Sequence, residues 1–185
     1  MKKLIFLLLL ATFLGPRLAC ADDFYKEGIW IAFPGDFKEE KLGLEREGHA
    51  RYRVKQKDPA QPSRTLVETF IQVDKSDAYQ QYGAEEGAES CLGLLMERVG
   101  RQNIRQLTFP KKLQLSGSLA MSFTMIHPGR YATNTWEAEL VNSTIYCIVE
   151  PAREVVITVL APADTPQELF ANTLKSIESL KFVSK

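Results

Sequence analysis

Residues 154–180 read EVVITVLAPADTPQELFANTLKSIESL, and this stretch decides the class of fold. Its first seven residues, Glu154 to Leu160, are apolar on both sides of the chain. A strand with that pattern must be covered on both faces. Thr165-Pro166-Gln167-Glu168 then predicts a capping box with proline at the first helical position. Leu169, Phe170, Leu174, Ile177 and Leu180 follow as an apolar stripe at helical spacing. Lys175 and Lys181 sit toward its C-terminal end, where the helix dipole favours cations.

Working outward, period-two patterns predict further strands. Ala50, Tyr52 and Val54 alternate with Arg51, Arg53, Lys55 and Lys57. In 65–73, Thr65, Val67, Thr69, Ile71 and Val73 share a face. The same reasoning predicts strands at 28–33, 42–47, 103–109, 118–126, 131–141 and 144–149. Between 73 and 100 the period changes to that of a helix. Ala84, Ala88, Cys91, Leu95 and Val99 form its stripe, Ser76 or Asp77 can cap it, and Gly100 stops it. Gly83, Gly87 and Gly93 weaken this helix, so it depends on packing. Short turns imply antiparallel pairing. The expected class is α+β: a twisted, mainly antiparallel sheet with two main helices packed on it.

The N-terminus carries an address. Lys2 and Lys3 precede an apolar run from Leu4 to Leu14, too short for a bilayer span. Ala19-Cys20-Ala21 supplies small residues for cleavage, so residues 1–21 read as a signal peptide and 22–185 as one α+β domain. The expected location is periplasmic. Leu18-Ala19-Cys20 also looks somewhat like a lipoprotein box, but Arg17 stands where that pattern wants an aliphatic residue. Removing 1–21 takes away Lys2, Lys3 and Arg17 and no acid, which shifts the formal net charge from +0 to about −3. Nothing in that balance points to nucleic acid. Cys91 and Cys147 remain, both on inward faces, and an oxidising compartment suggests a disulfide between them. Two buried thiols are the alternative.

Three segments resemble the PsbP-like superfamily, which includes the bacterial DcrB-like proteins. They are Gly28-Ile29-Trp30-Ile31-Ala32-Phe33-Pro34-Gly35-Asp36-Phe37, the strand 65–73 leading into the helix, and the ending from 154 through Ser179-Leu180-Lys181-Phe182. The likeness covers most of 22–185 as a pattern of apolar positions. It implies an α-β-α sandwich and a non-enzymatic accessory or binding role, and it carries over no functional residue.

Catalytic chemistry finds little material. His49 and His127 are the only histidines, and both read as solvent-exposed turn residues. There is no G-x-S-x-G, no phosphate loop and no close Cys/His pairing for zinc, so no catalytic, metal or cofactor residue is assigned. Glu85, Glu86 and Glu89 read as the solvated side of a helix. Asn142-Ser143-Thr144 matches a glycosylation sequon, and the short Lys2-Lys3 n-region suggests a bacterial signal, with which that sequon would usually carry no meaning. Trp30 and Trp136 read as core or as the wall of a pocket. The best binding candidate is the row Arg51, Arg53, Lys55 and Lys57, facing an acidic protein partner or an anionic glycan. The competing reading is an edge strand guarded by charge. The expected function is an exported, non-catalytic protein-binding domain, either an accessory factor of an envelope complex or an inhibitor or immunity protein. The alternative is a small-ligand or metal carrier with a cavity between sheet and helix.

Overall fold

The computed structural model describes residues 23–43, 48–75, 84–133, 135–137, 139–150 and 153–183. The expected signal segment and the helix caps Ser76 and Asp77 lie outside them. Among the described residues, eleven strands and two α-helices follow in order. They are β1 Asp23–Lys26, β2 Ile29–Ala32, β3 Phe37–Leu42, β4 His49–Lys57, β5 Thr65–Asp74, α1 Ala84–Val99, β6 Gln106–Leu107, β7 Lys111–Leu115, β8 Ser118–Pro128, β9 Leu140–Glu150, β10 Arg153–Pro162, α2 Gln167–Glu178 and β11 Lys181–Phe182. One sheet runs β3-β4-β5-β10-β9-β8-β6, with β7 also on β8, and a smaller one runs β1-β2-β11. Every pairing is antiparallel.

Strand β10 is central, as its double-sided apolarity requires. Its Val155, Ile157 and Val159 join Tyr146 and Ile148 of β9 in the main core, which Ile177 of α2 closes. On the opposite face, Cys147 and Met121 form a second cluster with Val149. There α1 packs on β8 and β9. Alternation along β9 therefore puts one helix on each side, giving an α-β-α sandwich. The small sheet lies on the α2 side and adds Phe24, Ile29 and Ile31 to the main core. Each such side chain contributes roughly 1.5–3 kcal/mol by burial.

Two tight hairpins follow from glycine. Glu27-Gly28 and Ser116-Gly117 both carry positive φ, 52° with 70° and 50° with 84°. They join strands whose ends pair directly, Lys26 with Ile29 and Leu115 with Ser118. That is the two-residue turn matching strand twist.

Several expectations are corrected. The strand expected at 42–47 is Phe37–Leu42, and 44–47 lie outside the described residues. β4 is flanked on both sides, so its charges do not guard an edge. Residues 131–139 form no strand among those described. A 3-10 turn at Gly129–Tyr131 lets the connection fold back, and Trp136 is buried against Val141 and Leu160. Gly129 permits this, because a Cβ there would collide with the Trp136 carbonyl oxygen. The expected strand 103–109 shrinks to Gln106–Leu107, with β7 beyond it. The capping box does not form: Thr165 is buried and donates to the Leu66 carbonyl, and α2 starts at Gln167 without a side-chain cap. Lys181 lies past the helix, with its ammonium 4.9 Å from the centre of the Trp30 ring.

Candidate functional site

The basic row of β4 is where the pattern put it, on the face opposite Ala50, Tyr52 and Val54. Its charges are engaged from within. Arg53 donates through Nε to Glu40 Oε2 at 3.1 Å. That hydrogen bond, then the guanidinium charge, holds the Glu40 carboxyl below its usual range. Lys55 Nζ lies 3.3 Å from Glu68 Oε1. Lys57 donates to Thr65 Oγ1 at 3.0 Å. Arg51 sits 5.9 Å from the Phe70 ring centre. The register explains this: Arg53 pairs with Glu40 of β3 and Lys55 with Glu68 of β5, so the acids flanking the row face it directly.

Glu68 is the more unusual group. Its residue is fully buried. Besides Lys55 it accepts hydrogen bonds from Thr133 Oγ1 at 2.6 Å and Thr135 Oγ1 at 2.5 Å. A buried carboxylate needs such partners. Here they pin the connection between β8 and β9 onto the sheet.

Neither histidine is an exposed turn residue. His127 is buried in β8, with Nε2 2.6 Å from Ser143 Oγ and Nδ1 2.9 Å from the Pro128 carbonyl oxygen. The carbonyl fixes Nδ1 as the donor, so Ser143 donates to Nε2. Burial pushes the His127 pKa down, against a smaller opposite effect of that carbonyl. A serine hydrogen-bonded to a neutral imidazole is the start of a hydrolytic site. Ser143 is itself buried, however, and a carbonyl rather than a carboxylate holds Nδ1, so the pair has neither substrate access nor an orienting acid. His49 pairs with Asp74, Nδ1 to Oδ2 at 3.2 Å. The sequon at Asn142 lies inside β9, paired on both sides.

Cys147 is buried and lies 3.4 Å from Glu154 Oε1. The Cβ position of Gly87 in α1 is 3.3 Å from Cys147 Sγ. Trp30 is half-buried and Trp136 is in the core.

Sequence reasoning missed one concavity. A groove of about 720 Å³ lies where the ends of β4 and β5 meet the start of α2. Leu66 and Leu169 line it, together with Pro34, Pro59, Pro62 and Pro166. Lys57 is at its lip, and Arg64 bonds Asp164 at 2.8 Å across one side. Gln56 beneath is spent: Nε2 donates to the Pro34 carbonyl at 2.9 Å, and Oε1 accepts from Thr173 at 3.0 Å. The signal was present as four prolines in three separate loops, but only folding brings them together.

No family model and no curated protein matches the sequence. The architecture, two helices on opposite faces of an antiparallel sheet, has solved counterparts. Cyanobacterial PsbP (CyanoP) from Synechocystis sp. PCC 6803 is similar with a TM-score of 0.54 and 8% identity, over 91% of this chain and 95% of that one. A protein from Bacteroides thetaiotaomicron VPI-5482 is similar with a TM-score of 0.56 and 11% identity over 90% of this chain. The present chain spans about half of that protein, 49%. At such identities the likeness concerns the fold, and the fold is PsbP-like.

Proposed function

We propose that this chain is an exported, non-catalytic domain that binds a protein partner in the cell envelope through the groove beside Lys57. The observation that carries the reading is the groove itself: walls of four prolines, Leu66 and Leu169 over the hydrogen-bonded Gln56 amide, with Asp36, Lys57, Asp58, Arg64 and Asp164 also in its lining. Such a surface offers burial to apolar side chains of an extended segment and charged partners at its margin. The stiff proline walls lose little entropy when a segment seats. The internal engagement of Arg53, Lys55, His127 and Glu68 supports the same reading, because it withdraws the groups that could have acted as general acid, base or anion clamp. So does the accessory role that the PsbP-like resemblance implies.

The test is capture of partners by the tagged chain from its own cell envelope, read by mass spectrometry and repeated at higher salt. A stoichiometric partner that survives salt and is lost with Leu169→Asp supports apolar docking in the groove. Capture unaffected by Leu169→Asp removes the groove from the account. The groove volume favours one second reading, a small-ligand carrier. Native mass spectrometry of the purified chain distinguishes it, since a carrier would show an added mass that Leu169→Asp abolishes.

A further inference from the structure

From Arg98 to Trp136 the chain contains no Asp or Glu, yet it holds Arg98, Arg101, Arg105, Lys111, Lys112 and Arg130. The whole sequence is balanced, with 23 basic and 23 acidic residues, so this run is a local excess of one sign. Folding concentrates it. Arg98 ends α1, Arg101 opens the 3-10 turn after it, and residues 105–115 run along β8 as the outer edge of the large sheet. Arg98, Arg101, Arg105 and Lys111 are exposed and make no ion pair among the described residues, while Lys112 bonds Glu85 at 2.8 Å.

The same edge carries an aromatic point. Thr108 N donates to the Thr124 carbonyl at 2.9 Å, and Lys111 pairs with Ser122. Phe109 and Pro110 therefore both stand opposite the single residue Phe123, which is a β-bulge. The extra residue throws Phe109 outward to 91% exposure, and Leu107, 36% exposed, lies beside it. Lys111 and Arg105 flank Phe109 at roughly 7 and 13 Å along the strand.

We propose that this edge is a membrane-contact site, in which Phe109 enters the interfacial region of an anionic bilayer while the flanking cations hold lipid headgroups. Three features select a lipid surface over an acidic protein. The apolar element is a single projecting ring with one neighbour, suited to insertion into a fluid phase rather than to a packed interface. The run itself carries charge of one sign, with Glu85 of α1 paired to Lys112 at its margin, whereas protein interfaces carry mixed polar rims. The cations are long, exposed and free to reach headgroups, the arrangement by which basic segments bind anionic leaflets. The site is separate from the groove, with β8, β9 and β10 lying between them in the sheet. A chain resting on this edge would still present the groove.

The test uses residues 22–185, which carry every described element, because the apolar run at 4–14 would itself partition into lipid. Flotation with vesicles of phosphatidylglycerol and phosphatidylcholine is compared with phosphatidylcholine alone, at about 50 mM and about 500 mM salt. Expected is binding to the anionic vesicles only, weakened about tenfold or more by high salt and by Arg105→Glu with Lys111→Glu. Phe109→Trp should shift its emission to the blue on binding, and Phe109→Ser should weaken binding while leaving the melting temperature unchanged. Absence of flotation with anionic vesicles overturns the proposal. So does binding without a blue shift at position 109. Equal affinity for polyglutamate in solution, with no shift on vesicles, would reassign the edge to an acidic protein.

Discussion

At the scale of single residues, buried polar groups set how the chain responds to pH and what holds its connections in place. His127 has its pKa lowered by burial, while in the unfolded chain it returns to about 6.5. Below that value the unfolded state takes the proton first, so stability falls as pH drops. Above it the imidazole is neutral in both states and adds no slope. Thermal melts between about pH 5 and pH 7.5 should show this loss, and His127→Gln should flatten it while keeping an acceptor for Ser143. Glu68→Ala strands the Lys55 ammonium and two threonine hydroxyls. It should lose about 3 kcal/mol, and Thr133→Val about 1 kcal/mol, by denaturant titration. Neither pairing was legible in the sequence. Glu68 and Thr133 are far apart along the chain, and their contact depends on a connection that period-two reasoning took for a strand.

At the scale of elements, the strands with strict alternation were legible because one apolar face must meet the core. β4, β5, β10 and the stripe of α2 fall where periodicity placed them. The 131–139 segment misled because Trp136, Ala138 and Leu140 alternate like a strand, yet the close approach of Gly129 to Trp136 turns the chain back over the sheet. Thr165 misled because it had a better partner in the Leu66 carbonyl than in its own helix. Two glycines test the packing directly. Gly93 in α1 faces open space, so Gly93→Ala should stabilise by roughly 0.5–1 kcal/mol, whereas Gly129→Ala should unfold the connection and lower the melting temperature sharply. The contact of Gly87 with Cys147 packs α1 onto β9, and the sequence raises the expectation of a link between Cys91 and Cys147. We propose that this link forms after export. Alkylation of the unreduced, denatured chain from the envelope should then label neither Cys91 nor Cys147, while labelling of both would establish two buried thiols.

At the scale of the molecule, the sandwich separates two surfaces that the sequence did not reveal. The groove depends on loops that only the β4–β5 hairpin end and the start of α2 bring together. The basic edge was readable in principle as an acid-free run, but its meaning depended on the bulge that exposes Phe109. The row on β4 drew attention instead, because four cations in alternation are conspicuous, and the flanking acids Glu40 and Glu68 became visible only with the register. The central claim is that the groove seats a protein segment. It is tested most directly by a photo-crosslinking side chain at position 169 in intact cells, with position 114 on the exposed edge as control. The account predicts a discrete adduct with one envelope protein from position 169 and none from 114. No adduct at 169, or the same adducts from both positions, would contradict it.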